Sequence, residues 1–148
     1  MKRSIHYFSA LNVFPKFNIN KAALKKNYYN LSKMYHPDRM QIKNDDQSII
    51  NESYKVLNDD LSRYSYLANS LSKKYNIIFD IPKSSFLEHV MNLYEREDFT
   101  NLSYEYTNNL NKLKIKTQEY DNTQELKLLE DIGCLLYKVN ILKRYNET

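Results

Sequence analysis

The scarcity of glycine and proline constrains the fold of this chain more than any other feature of its sequence. The 148 residues include one glycine and three prolines. Folds with many strands need frequent tight turns, and these two residues supply much of the backbone geometry of such turns. The composition therefore argues against a sandwich or a barrel and favours an all-α fold, in which apolar periodicity marks the helices.

Two apolar stripes in the first half predict an antiparallel helical hairpin. Their members recur at steps of three or four residues, as one face of a helix requires. Asn20 is the expected N-cap of the first helix, and Pro37 ends that helix because the residue before a proline is pushed out of the helical region. Two helices of similar length with a short polar connection pack side by side. The stripes are Leu24, Tyr28, Leu31 and Tyr35, and then Ile50, Tyr54 and Leu57.

Residues 76–83 separate two expected domains. The segment holds three isoleucines, a phenylalanine and Pro82, so we expect it to be an extended, packed linker. The domain before it, residues 1–75, comprises the hairpin and the short helices that flank it. The domain after it, residues 84–148, is expected to be a bundle of three helices.

The first helix of that bundle carries more apolar surface than one core contact requires. One stripe consists of Phe86, Val90 and Leu93, and a second lies about 100° around the helix axis. The second stripe either joins the core or stays available to a partner. Its members are Leu87, Met91 and Tyr94.

The other two helices of the bundle complete the pattern. Phe99 opens the apolar stripe of the middle helix, and a turn is predicted at residues 121–123, with Asn122 or Thr123 capping the last helix. The last helix has a seam that resembles a coiled coil and extends to Leu142.

Charge is distributed unevenly between the two halves. Residues 1–75 hold 13 Lys and Arg against 6 Asp and Glu, a net charge of +7, and residues 76–148 hold 9 against 12, a net charge of −3. This asymmetry indicates two surfaces with different partners, unless both halves are ordinary solvated helices. Cys134 is the only cysteine, which excludes an internal disulfide and a multi-cysteine metal site and suits a reducing compartment.

The tripeptide His36-Pro37-Asp38 lies at the predicted tip of the basic hairpin. Pro37 fixes the backbone, so His36 and Asp38 would be held outward on a rigid bend, as a docking contact requires. The simpler interpretation is a helix stop followed by a common turn residue. An exposed tip is a poor place for acid–base catalysis, because nothing shields it from water.

The tip, the basic helix before it and the flanking pattern resemble the J-domain of DnaJ-type co-chaperones. The resemblance covers roughly residues 4–75 and implies that the tripeptide triggers ATP hydrolysis by a heat-shock chaperone of the HscA/DnaK class. It also implies that nearby basic residues contact an acidic surface of that chaperone, where opposite charges speed encounter. These residues are Lys25, Lys26, Lys33 and Arg39.

Further motifs are similar to the HscB family, which assists iron–sulfur cluster assembly. They are Tyr7-Phe8, the run from Asn51 to Tyr54, the run from Arg63 to Leu67, and an acidic three-helix half without a Gly/Phe-rich linker. The resemblance implies that the second half binds the iron–sulfur scaffold protein IscU. Glu88 and Asn92 depart from the residues expected in that surface. The implied scaffold-binding residues are Leu87, Met91, Glu95 and Tyr137.

The resulting hypothesis is a co-chaperone that stimulates the chaperone ATPase and delivers IscU to it. The alternative is a J-domain co-chaperone for a different client. No phosphate loop, nucleophile motif or ligand cluster indicates an enzyme, a cofactor or a metal. A pI near 9.0 suits RNA binding, but the tyrosines fall on helical stripes, so we expect no nucleic acid.

The expected location is the bacterial cytoplasm or, alternatively, the mitochondrial matrix or a related organelle. No apolar run approaches the roughly 20 residues of a membrane span, so we expect no membrane contact. Lys2 and Arg3 are not followed by the apolar stretch of a secretory signal.

Overall fold

The computed structural model describes residues 6–35, 45–81 and 83–147, and all the regular structure in these ranges is helical. The all-α prediction is confirmed. The chain divides into two compact units, Met1–Lys74 and Tyr75–Thr148. The helices are α1 (His6–Ala10), α2 (Lys21–Met34), α3 (Asp45–Asn58), α4 (Asp60–Tyr75), α5 (Lys83–Glu95), α6 (Phe99–Thr123) and α7 (Lys127–Asn146).

In the first unit, α2 and α3 form the predicted antiparallel hairpin. The rings of Tyr28 and Tyr54 stack at 4.1 Å between centroids, and the Tyr28 hydroxyl donates to Asn51 Oδ1 at 2.9 Å. Further along α2, Ser32 Oγ accepts from Gln47 Nε2 at 3.4 Å. Later residues of α2 therefore meet earlier residues of α3, as antiparallel packing requires.

Side-chain caps define the starts of α2 and α4. Asn20 Oδ1 accepts from the backbone N–H groups of Ala22 and Ala23 at 3.0 and 3.1 Å, which confirms the predicted cap. Asp59 Oδ2 accepts from the N–H of Ser62 at 2.9 Å, so this residue caps α4. The two flanking helices differ in length: α1 is short, with 5 residues, but α4 has 16 and exceeds the short helix expected there.

The buried Arg63 ties together the end of the hairpin away from its tip. Its Nε donates to the carbonyl of Phe17 at 2.7 Å and its Nη1 to that of Leu57 at 2.7 Å. Its Nη2 meets Asp60 Oδ1 at 2.8 Å, and Lys21 Nζ lies 3.1 Å from the same oxygen. Burial alone would raise the pKa of Asp60, but its bonds to Arg63 and Lys21 outweigh burial and lower that pKa.

The second unit is a three-helix bundle with alternating directions. His89 on α5 meets Glu105 on α6 at 2.9 Å, and Lys116 on α6 lies 3.7 Å from Asp131 on α7. Both helix pairs are antiparallel, so α5 and α7 run in the same direction. The fully buried core side chains include Val90, Leu102, Leu113, Leu129, Ile132, Val139 and Leu142.

The turn between α6 and α7 lies later than predicted. Residues 121–123 form the last turn of α6, because the Thr123 hydroxyl donates back to the carbonyl of Glu119 at 2.9 Å instead of capping the next helix. Gln124 ends α6 in the left-handed region, with φ 58°. Its N–H donates to the carbonyl of Tyr120 at 2.8 Å, and α7 starts without a side-chain cap.

Residues 77–81, in the predicted linker, have no regular structure, and one of them rests on α7. The Phe79 ring lies against Gly133, where an added Cβ would stand 2.6 Å from the ring Cγ. That distance is too short for a real contact. The only glycine of the chain thus makes room for this ring.

Candidate functional site

The predicted trigger residues His36, Pro37, Asp38 and Arg39 lie outside the described residues. The structure describes the two helices on either side of them, with α2 ending at Met34 and α3 beginning at Asp45. The described part of this candidate site is therefore the surface of α2.

The outward face of α2 is basic. Its 14 residues include four lysines and no acidic residue, and the three predicted docking residues Lys25, Lys26 and Lys33 are all exposed. Lys21 is occupied by its ion pair with Asp60 at 3.1 Å. A surface of this kind attracts an acidic partner from a distance and orients it.

Two large apolar side chains on α2 extend the basic surface and were missed by sequence reasoning. Tyr29 is 53% exposed and Met34 is 58% exposed. Lys25 Nζ lies 5.9 Å from the Tyr29 ring centroid, within the range of a cation–π contact. Both residues lie next to members of the predicted core stripe, Tyr28 and Tyr35, and that adjacency was the available signal.

A cavity of about 480 Å³ lies between α1, the end of α2 and the start of α3. Its lining includes His6, Ser9, Tyr35 and Asp46. Ser9 Oγ donates to the backbone carbonyl of His6 at 2.9 Å, so this hydroxyl is not paired with a side-chain base. Within the described ranges, no group of three or more His, Cys, Asp or Glu could hold a metal ion.

The predicted scaffold-binding residues of α5 share one line along the helix. Leu87, Met91 and Glu95 follow at intervals of four residues, which places them on one face. Met91 is 42% exposed, and Glu95 is also exposed. Leu87 is half-buried and packs against the core. The two departures from the family pattern, Glu88 and Asn92, are exposed as well.

The fourth predicted residue, Tyr137 on α7, lies beside the first turn of α5. Its hydroxyl donates to the carbonyl of Lys83 at 3.3 Å, and its ring centroid is 6.3 Å from that of Phe86. Tyr137 therefore joins the beginning of the α5 line.

The two apolar stripes of α5 have different environments. Val90 and Leu93, from the first stripe, are 0% and 4% exposed. Met91 and Tyr94, from the second, are 42% and 38% exposed. The sequence left open whether the second stripe joins the core or stays available to a partner. The exposure of Met91 and Tyr94 places this stripe largely outside the core.

Phe99 is the first residue of α6, where the predicted apolar stripe of this helix begins. Its side chain is 54% exposed. It contacts Tyr94, which in turn contacts Tyr145. Asp98, directly before it, is the N-cap of α6.

Comparisons with known proteins assign the first unit and relate the whole chain to one family. Residues 6–66 match the DnaJ domain. The co-chaperone protein HscB of Buchnera aphidicola subsp. Acyrthosiphon pisum (strain Tuc7) is 29% identical over an alignment that covers 96% of each chain. HscB of Proteus mirabilis (strain HI4320) is 27% identical over 131 residues, covering 78% of this chain and 75% of its own length.

A third relative has a higher identity over a shorter stretch. The HscB homolog of Pseudoalteromonas atlantica (strain T6c / ATCC BAA-1087) is 34% identical over 71 residues, which cover 43% of this chain and 41% of that protein. No solved structure matches the chain significantly. No helix within the described ranges is long and apolar enough to cross a membrane. The matched class is one of co-chaperones and is not catalytic, in agreement with the sequence prediction.

Proposed function

We propose that this chain is a J-domain co-chaperone of the HscB type, since residues 6–66 match the DnaJ domain and a relative aligned over 96% of the chain is named HscB. A J-domain implies a heat-shock ATPase chaperone as partner, so the chain would stimulate a chaperone of the HscA/DnaK class and deliver IscU to it. The observation that carries the proposal is the match of both halves, across 96% of each chain, to a protein named HscB. The J-domain match alone ends at residue 66.

In this proposal, residues 1–75 act on the chaperone. The tip residues His36, Pro37 and Asp38, with Arg39, trigger hydrolysis of ATP. The basic surface of α2 guides the approach, because its lysines are exposed and the helix contains no acidic residue. The guiding residues are Lys25, Lys26 and Lys33.

Residues 84–148 hold the scaffold. Met91 and Glu95 offer an exposed contact line on α5, and the half-buried Leu87 and Tyr137 support its first turns. Hydrolysis then tightens the grip of the chaperone on the scaffold and assists cluster transfer. The protein itself makes or breaks no covalent bond, and its proposed location is the bacterial cytoplasm.

Steady-state ATP turnover by the cognate chaperone tests this function, measured with the full chain, with and without IscU. The stimulation should rise sharply when the scaffold is present, because delivery couples the two binding events. His36→Gln should abolish stimulation and leave the helical circular dichroism unchanged, since the residue lies on the predicted exposed tip.

His6→Gln is the matched control, because His6 lies on α1, in the same unit but outside the predicted tip. It should stimulate like the wild type. Stimulation that ignores IscU would replace the scaffold with another client, and normal stimulation by His36→Gln would refute the central assignment.

A further inference from the structure

We propose that Tyr94, Phe99 and Tyr145, the aromatic corner, extend the scaffold-binding surface and insert into an apolar patch with a basic rim on IscU. This inference rests on the proposed function and names a contact that neither the family resemblance nor the comparisons assign. It follows from exposure, rigidity and charge around the turn between α5 and α6.

The aromatic corner is a connected set of rings at the surface of the second unit. The Tyr94 and Phe99 centroids are 6.1 Å apart at 78°, and the Tyr94 and Tyr145 centroids are 5.2 Å apart at 66°. Both pairs have the edge-to-face geometry that aromatic rings prefer. Phe99 is 54% exposed and Tyr94 is 38% exposed, so substantial ring surface remains for a partner.

The backbone before Phe99 is held by a helix-ending motif. Glu97 lies in the left-handed region, with φ 57°. Its N–H donates to the carbonyl of Tyr94 at 3.0 Å, and the N–H of Asp98 donates to the carbonyl of Leu93 at 2.9 Å. These two bonds form a Schellman motif, which satisfies the last carbonyls of α5 and fixes the direction of the chain.

The backbone after Phe99 is held by a cap. Asp98 accepts from the side-chain amide of Asn101 at 2.7 Å and from its backbone N–H at 3.4 Å. With both flanks fixed, the Phe99 ring loses little further freedom when a partner covers it, and such preorganised aromatic residues carry much of the binding energy at protein interfaces.

The position of the corner and its rim identify the kind of partner. Tyr94 lies three residues after Met91 on α5, so the corner continues the proposed scaffold line. Glu95 and Glu97 are exposed beside it, with Arg96 between them, and Arg144 is exposed next to Tyr145. The exposed rings fit an apolar patch on the partner, and the two glutamates at the turn fit basic residues beside that patch.

Calorimetric titration of metal-free IscU into the full chain tests the inference. Phe99→Ala should raise Kd about tenfold, because it removes a central aromatic anchor. Phe99→Tyr keeps the ring and should stay within about twofold of the wild type. Ile115→Ala is the matched control, since Ile115 is 65% exposed on the same helix but lies about 24 Å further along it.

A charge change at an exposed residue beside the aromatic corner gives a second test that leaves the packed rings intact. Glu97→Lys preserves the side-chain length and should raise Kd several-fold, with the difference shrinking at high salt. Unchanged Kd in both Phe99→Ala and Glu97→Lys, with weakened binding in Met91→Ala, would overturn the aromatic corner but keep the proposed function. A wild-type chain that does not bind IscU would overturn the proposed function itself, and self-association lost in Phe99→Ala would reassign the corner to a second copy of this chain.

Discussion

Helices α2 and α5 have similar lengths, 14 and 13 residues, but they present opposite kinds of surface. Helix α2 exposes lysines without any acidic residue. Helix α5 exposes an apolar line through Met91, accompanied by the acidic residues Glu88 and Glu95. We expect binding at the first surface to depend mainly on charge and binding at the second mainly on the burial of apolar atoms.

Binding at the two surfaces should therefore respond differently to salt. Charge acts over about 10 Å at ordinary salt, guides the approach of the partner and weakens as salt rises. Apolar burial acts only on contact, determines how slowly the partner leaves and is little affected by moderate salt. Each unit also contains one internal contact of the matching kind. In the first unit Arg63 forms an ion pair with Asp60, and in the second the Phe79 ring packs against Gly133.

The largest effect is expected at the apolar surface. Met91→Ala should weaken IscU binding about tenfold, since truncating a well-covered side chain at an interface costs about 1–2 kcal/mol. Calorimetric titration at about 0.1 and 0.4 M salt should give the same ratio of Kd values between variant and wild type. A ratio that falls toward one at high salt would mean that charge contributes to this surface as well. Ile115→Ala again serves as the control.

The next effect concerns the contact that fastens the second unit. Gly133→Ala should destabilise it by about 1 kcal/mol, because the new Cβ collides with the Phe79 ring and repacking outweighs the helix preference for alanine. In a Phe79→Ala background, the same change should stabilise the unit by several tenths of a kcal/mol.

Thermal unfolding of the four members of this double-mutant cycle measures the coupling. A coupling energy near zero would mean that the contact between ring and helix contributes nothing to stability.

A smaller effect is expected at the basic surface. Lys25→Ala, Lys26→Ala and Lys33→Ala should each raise the concentration for half-maximal ATPase stimulation about two- to threefold at low salt, because single surface charges contribute less than about 1 kcal/mol. These differences should fade as salt rises. Lys55→Ala, an exposed lysine on α3, is the control, and equal loss there would mean that only total charge matters.

The smallest effect concerns the charges that fasten the first unit. The folded-state pKa of Asp60 lies below its ordinary value, so its ionised form stabilises the fold above the unfolded pKa near 3.8, and that contribution is lost as pH falls through the folded pKa. Asp60→Asn should lower the unfolding midpoint at pH 7 by an amount that corresponds to less than about 1 kcal/mol. Thermal unfolding between pH 7 and pH 2.5 should show the two curves converging below pH 3.8; a constant gap would contradict the role of the carboxylate.

Local rules were sufficient for much of this fold. The periodicity and the Asn20 cap predicted the hairpin, and the contacts of Tyr28 confirm it. The α6 boundary was missed because Thr123 can either cap a helix or bond back to the preceding turn, and only the tertiary packing selects between these.

The candidate surfaces show a similar division. The sequence identified the surplus apolar arc of α5 but left open which stripe is buried, since that depends on where α6 and α7 pack. Periodicity placed Phe99 at the start of α6 but could not give its exposure, since that depends on its neighbours in space. The predictions for residues 36–39 lie outside the described residues and remain predictions.

The contact between Phe79 and Gly133 also constrains how this sequence can drift over generations. Every substitution of the glycine adds at least a Cβ where the ring already stands. Which residues are tolerated at position 133 therefore depends on the residue at position 79. A larger residue at 133 becomes acceptable once 79 has become small, and that order of events leaves a paired signature. In an alignment of relatives, the two positions should therefore vary together, although more than fifty residues separate them along the chain.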